Sequence, residues 1–204
     1  MPIGKFQSDV LRALAAQRSP DSDVAGGVAI NCDGPRFSAD IDIFPDSEAR
    51  LESAAKDDTA ALTAAGYSVT WERVREGKRD ATVARGGEAM LLEWVTDAAF
   101  RFFPTQPDEL FGYVLHPVDL AANKASAAAD RRVPRDIVDL VTIHENILPL
   151  GAVCARLLAS FPAPHRSRCL PKSPGTAASR QRSLRRWRPR SRLTCPACTA
   201  VSAA

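Results

Sequence analysis

The chain has 204 residues, 45% of them hydrophobic, which suffices for one globular domain with a real core and excludes two large ones. No stretch reaches the roughly 18 apolar residues of a membrane span, and MPIGKFQSDVLRAL has no apolar run behind a basic start, so neither membrane insertion nor a signal peptide is expected. The net charge of +3 averages an acidic body, residues 1–160 at −7, with a basic end, residues 161–204 at +10, and the acidic body excludes an overall electrostatic footprint for nucleic acid.

In chain order, residues 3–17 set Ile3, Phe6, Val10, Leu11 and Leu14 at helical spacing, an amphipathic helix. A short apolar step, Asp23-Val24-Ala25, runs into Gly26-Gly27. Arg36 to Phe44 alternates Phe37, Ala39, Ile41 and Ile43 with polar partners, a strand signature. Ser47 to Ala65 reads as a helix with Ser47 as N-cap and Gly66 as terminating glycine. Residues 67–74, 81–85 and 89–95 read as three strands. The joins Glu76-Gly77-Lys78 and Gly86-Gly87 suit a meander.

After Pro104 the pattern turns helical. Helices are expected over 117–129 and 134–147, each opened by proline, and over 150–158. The second takes Ile137, Val138, Leu140, Val141 and Ile143 as its apolar face. The expected architecture is α+β: a mixed sheet with flanking helices over residues 1–104, then a helical C-terminal part of the same domain over 105–160. Residues 161–204 hold nine Arg, one Lys, six Pro and no acid, and no apolar period survives there. Three readings stay open: a basic RNA-binding arm, a disordered tail, and non-native sequence from out-of-frame translation.

The chemistry gathers in GGVAINCDGPRFSADIDIF, residues 26–44. Asp40 and Asp42 are two apart on a strand, so period two puts both carboxylates on one face. Two such charges repel unless a cation joins them, and Mg²⁺ suits oxygen ligands that share its shell with substrate phosphates. Ile41 and Ile43 point into a core. Gly26 and Gly27 let backbone approach a ligand, and a helix starting there would turn N–H groups to an anion such as a triphosphate.

At these residues the sequence resembles the DNA polymerase β-like nucleotidyltransferases, whose signature is a glycine pair followed by D-x-D. The fuller form, Arg36-Phe-Ser38-Ala-Asp40-Ile-Asp42-Ile-Phe44, is similar to the AbiEii/AbiGii toxin branch. DLAANKASAAADRRVPRDIVDL, residues 119–140, resembles that branch's lysine helix and R-D-x-x-D-L motif, on Lys124, Arg135, Asp136, Asp139 and Leu140. The resemblance spans about residues 3–158.

That resemblance implies a nucleotidyltransferase-like fold and Mg²⁺-dependent transfer of a nucleotide from an NTP to an acceptor hydroxyl, on RNA such as tRNA or on protein. It implies the toxin of a toxin–antitoxin or abortive-infection system, with a cognate antitoxin as partner. Asp40, Asp42 and a third carboxylate on a neighbouring strand would hold the metal. Glu93 is the choice, since Leu92 and Trp94 would face the core, with Asp97 as alternative. Lys124, Asp136 and Asp139 join them as catalytic candidates, while Gly26, Gly27, Arg36, Ser38, Lys124 and Arg135 would hold the NTP. Asp136 and Asp139 share a helix face, so one could brace Lys124 or Arg135. The family often carries Ser or Thr at the glycine pair; here Val28 follows Gly27, leaving backbone donors. A solvated helix face is the alternative for Lys124, and a catalytically inactive binding module of the same fold is the alternative for the whole chain.

Other signals are thin. Cys195 and Cys198 form a lone C-x-x-C without a second pair, and the three histidines lack metal spacing. Cys32 and Cys154 read as buried thiols. Five scattered cysteines fit a reducing cytoplasm better than a disulfide scaffold. No G-x-x-x-x-G-K is present, which disfavours a P-loop.

Overall fold

The computed structural model describes residues 3–97, 99–131 and 133–160. The element order is α1 (Lys5–Ala15), β1 (Ser22–Ala25), α2 (Gly26–Ile30), β2 (Asp40–Pro45), α3 (Glu48–Ala64), β3 (Ser68–Arg75), β4 (Lys78–Arg85) and β5 (Glu88–Val95). Then follow β6 (Gln106–Asp108), β7 (Gly112–Val114), α4 (Pro117–Arg131), α5 (Pro134–Asn146) and α6 (Leu150–Ser160). The strands form one mixed sheet in the order β3-β4-β5-β2-β1-β7-β6. Pairs β2–β5 and β1–β7 are parallel, and the remaining neighbours are antiparallel. Sheet and helices together make the α+β class expected from the sequence.

Local chemistry accounts for most boundaries. In α1, Val10, Leu11 and Leu14 recur on one face and are buried. The Ser47 hydroxyl accepts from the Arg50 N–H at 3.2 Å and caps α3, while Gly66, at φ +82°, takes the left-handed exit open to glycine. Strands β3, β4 and β5 form the expected meander.

Four expectations are corrected. The strand read from Arg36 begins only at Asp40; Gln7 Nε2 donates to the Ser38 carbonyl at 2.5 Å, so a side chain takes the acceptor that a ladder would use. The stretch after Pro104 opens not with helix but with the hairpin β6–β7. Its three-residue strands are too short to show a period, and Pro107 is tolerated because β6 is an edge. Finally, α5 does not bury the expected apolar face: Ile137, Val138 and Val141 are 55%, 43% and 49% exposed, whereas Asp136 and Asp139 are buried with Thr142 and Ile143. Cys32 is half-buried and Cys154 exposed, rather than both buried.

The core lies on both faces of the sheet. On one, Ile41, Ile43, Leu92 and Trp94 pack with Val10 and Leu14 of α1 and Leu51 and Leu62 of α3. On the other, Ala25, Ile30, Leu120, Ile143 and Val153 join α2 to α4, α5 and α6. Among the described residues no single helix is long and apolar enough to cross a membrane. The readings of residues 161–204 and of Cys195 and Cys198 lie outside the described residues.

One buried polar bridge fastens the first layer. The Arg18 guanidinium, just after α1, pairs with Asp58 of α3, and both side chains are fully buried. Trp94 Nε1 donates to the other Asp58 oxygen at 2.7 Å. Asp58→Ala should lower stability by about 3–5 kcal/mol in urea denaturation, because it strands the buried guanidinium. Lys56→Ala, on the exposed side of α3, should stay within about 0.5 kcal/mol of the parent. Equal midpoints for the two variants would show that the bridge contributes nothing.

Candidate active site

Strand β2 supplies the centre. Period two places Asp40 and Asp42 on the face opposite Ile41 and Ile43, which are fully buried. Parallel pairing with β5 sets Asp42 beside Glu93, and Ile41 and Ile43 beside Leu92 and Trp94. Asp40, Asp42 and Glu93 therefore share one face, and all three line a pocket of about 400 Å³. The register, not the sequence distance of some fifty residues, makes them neighbours.

The glycine pair closes one wall of that pocket. Gly26 sits at φ +69°, and a Cβ there would overlap the Asp42 carboxylate, so both conformation and space exclude a side chain. A Cβ on Gly27 would come within 2.5 Å of Ser38 Oγ and 2.6 Å of Arg36 Nη2. Ser38 Oγ also donates to Asp40 Oδ1 at 2.8 Å. A hydroxyl thus stands against the glycine pair although Val28 follows it, and Val28 itself is buried in the core.

A lattice of charges anchored on two buried carboxylates backs the pocket. Lys124 of α4, 6% exposed, reaches Asp136 Oδ1 at 3.1 Å and Asp139 Oδ2 at 2.9 Å on α5. Arg36 forks onto both Asp139 oxygens at 2.8 and 2.9 Å. Asn31 at the end of α2 donates to Asp139 at 2.8 Å and to the Gly27 carbonyl at 3.0 Å. Arg131 reaches Asp136 through two contacts of 2.8 and 3.1 Å. Hydrogen bonds from Arg131, helped by Lys124, hold the Asp136 carboxyl down at about 2. Burial opposes ionisation of Asp139, but Arg36, Lys124 and Asn31 outweigh it and hold that carboxyl below its usual range.

The expected site residues thus divide into two groups. Gly26, Gly27, Arg36, Ser38, Asp40, Asp42, Glu93, Lys124 and Arg135 line the pocket. Asp136 and Asp139 do not; they lie behind it and fix the cations that do. Arg135 reaches forward, 3.5 Å from Asp40 Oδ2. Asp97, weighed as the third carboxylate, lines the same pocket beyond Glu93.

Asn31, Lys78, Asn123 and Arg131 were not expected. Arg131 was legible, seven residues after Lys124 on the same helix face; Asn31 stands one turn after Gly27 in a run read only for its glycines. Nothing local marks Lys78, whose Nζ meets Glu93 at 2.9 Å and Asp80 at 3.2 Å only because β4 pairs with β5.

Burial, with Asp40 and Glu93 adding repulsion, pushes the Asp42 carboxyl up to about 7. Among the described residues no three His, Cys, Asp or Glu side chains converge as a ready-made metal cage. Glu93 is turned to Lys78 instead. The donor set fits a hard cation that takes part of its shell from phosphate oxygens better than one enclosed by protein.

A carboxyl raised above its unfolded value of 3.8 keeps its proton longer in the folded state, so the metal-free protein should lose stability as pH rises from about 4 to about 7. Asp42→Asn should remove that loss. In metal-free thermal melts the variant should match the parent near pH 4 and exceed it at pH 8. A parent melt at least as stable as the variant at pH 8 would contradict the burial and charge repulsion at Asp42.

Comparison with known proteins agrees with this geometry. The sequence matches the family described as "Nucleotidyl transferase AbiEii toxin, Type IV TA system" over residues 12–194. Two Helicobacter pylori crystal structures share the fold at a TM-score of 0.51 each. One is the protein JHP933, 17% identical, the match covering 74% of this chain and 71% of that one. The other is described as a candidate nucleotidyltransferase, 16% identical, the match covering 74% and 73%. No curated protein matches the sequence. Identities this low carry the fold alone, whereas the family match spans most of the chain and includes both the D-x-D strand and the Lys124–Asp139 lattice: the chain belongs to the AbiEii nucleotidyl transferase family and is a nucleotidyltransferase.

Proposed function

We propose that this nucleotidyltransferase uses Mg²⁺ held by Asp40 and Asp42, with Glu93 as third carboxylate, to move a nucleotide from an NTP to an acceptor hydroxyl on RNA such as tRNA or on a protein. It acts as the toxin of a toxin–antitoxin system, restrained by a cognate antitoxin. The observation that carries the reading is the meeting in one pocket of the Asp40–Asp42–Glu93 face, the glycine pair and the cations Arg36, Lys124 and Arg135.

Each residue has a task that follows from its place. Gly26 and Gly27 let phosphate oxygens approach backbone that any side chain would block. Lys124, held between two carboxylates, keeps one orientation toward the triphosphate at no cost of reorganisation during transfer. Arg36 is fixed by its fork on Asp139 and adds a second preset charge. Ser38 orients Asp40. Bound Mg²⁺ would neutralise charge developing on the transferring phosphoryl group and the leaving pyrophosphate. Glu93, beside Asp42, would complete the metal's carboxylate set once released from Lys78.

With labelled NTP, Mg²⁺ and either bulk tRNA or protein as acceptor, Asp42→Asn should lower transfer at least about 100-fold, roughly 2.7 kcal/mol in the barrier. It should leave the fold intact by circular dichroism. Lys124→Ala should cost at least about tenfold, near 1.4 kcal/mol. It should also lower the melting temperature, since Asp136 and Asp139 lose their shared cation, so rates are compared well below both melts. Lys56→Ala should match the parent. Undiminished transfer by Asp42→Asn at saturating Mg²⁺ would refute the metal assignment.

A further inference from the structure

The pocket is chemically lopsided. One end is cationic: Arg36, Lys124, Arg131 and Arg135 gather near Asp40 and the glycine pair. Following β2 on the same face leads from Asp40 past Asp42 to Phe44, four residues and about 13 Å at the rise of a strand. Toward that far end the lining includes Phe44, Val95 and Leu120 with Asn123 and Asp97, while Lys78, held by Glu93, lines the pocket beside Asp42. A ligand that fills the whole pocket needs a polyanion at one end and a flat, largely apolar group with a hydrogen-bonding edge at the other. A nucleoside triphosphate has that form.

Asn123 is set for the second task. It stands one residue before Lys124 on α4, so one helix turns a cation to one end of the pocket and an amide to the other. Asn123 Nδ2 lies 3.0 Å from Asp97 Oδ2. An ionised carboxylate only accepts, so the amide must turn its NH₂ to Asp97 and its carbonyl oxygen the other way. That hydrogen bond favours one order of donor and acceptor over the flipped one.

The geometry points to Asn123 as the base-reading residue of the NTP site, with Asp97 as the positioning residue that fixes the order of its donor and acceptor and Phe44, Val95 and Leu120 as the apolar seat. The inference rests on the reading of the pocket as an NTP site. Its consequence is a sorting of bases by edge. Adenine and cytosine offer an exocyclic amine beside a ring acceptor; guanine and uracil offer an exocyclic carbonyl beside a ring N–H. An amide held mainly in one orientation fits one of these pairs and opposes an unmatched group to the other, the situation in which discrimination is strongest.

The test is calorimetric titration of the full chain, with Mg²⁺, by ATP, CTP, GTP, UTP and inorganic triphosphate. The parent should bind one pair, amino-bearing or oxo-bearing, at least about tenfold more tightly than the other. Asn123→Leu should bring the four affinities within about twofold while inorganic triphosphate binds as before. Asp97→Ala, which frees the amide to flip, should narrow the preference while Asn123 remains in place. Inorganic triphosphate binding beside four equal NTP affinities in the parent would overturn the base-reading role alone. So would a preference that survives Asn123→Leu, or a loss of inorganic triphosphate binding in that variant equal to its loss of NTP binding. Failure of the parent to bind both inorganic triphosphate and every NTP would overturn the NTP site itself, and this inference with it.

Discussion

The arrangement of the helical half depends on the burial of two carboxylates. Asp136 and Asp139 have fully buried side chains on α5. An isolated buried carboxylate costs several kcal/mol, so α5 can turn this face inward only if cations come with it. Lys124 serves both, Arg36 serves Asp139, and Arg131 serves Asp136. These partners come from α4 and from the loop before β2. Satisfying the carboxylates therefore fixes α4 against α5 and ties both to the strand that carries Asp40 and Asp42.

The same pairing explains the exposed stripe on α5. Ile137, Val138 and Val141 would shed more apolar surface if the helix rolled inward on them. Rolling would carry Asp136 and Asp139 toward solvent and leave Lys124, at 6% exposure, without a partner. Truncating one side of a buried ion pair is among the costlier single changes in a protein, and it outweighs three half-exposed aliphatic side chains. Charge pairing, rather than apolar periodicity, sets the roll of this helix.

Opposite signs are thereby sorted within one pocket. Burial, with the charges of Asp40 and Glu93 beside it, makes Asp42 hold its proton to about 7. Lys124 and Arg131 of α4 and Arg36 of the loop before β2 present cations, each already oriented by a carboxylate behind it. An acidic body at −7 can still carry an anion-binding end, because local geometry rather than net charge decides the field inside a cleft. Lys78 at Glu93 and Arg135 at Asp40 place cations directly on the acidic face.

Much of this was written in short-range pattern. Alternation along β2 puts Asp40 and Asp42 on one face and Ile41 and Ile43 on the other, because a strand repeats every two residues whatever surrounds it. Ser47 and Gly66 mark the ends of α3 through local hydrogen bonding and a left-handed φ. The glycine pair, the D-x-D and the Lys124-to-Leu140 run identify the family from residue types and spacing alone. Tertiary structure decided what spacing could not. The parallel register of β2 on β5 brings Glu93 to Asp42, and the meander brings Lys78 to Glu93, since strand pairing joins residues with no sequence relation. Residues 106–114 carry strands too short to show a period. On α5 the sequence offers a carboxylate face and an aliphatic face at the same helical spacing, and only the arrival of Lys124, Arg36 and Arg131 from elsewhere in the fold determines which face is buried.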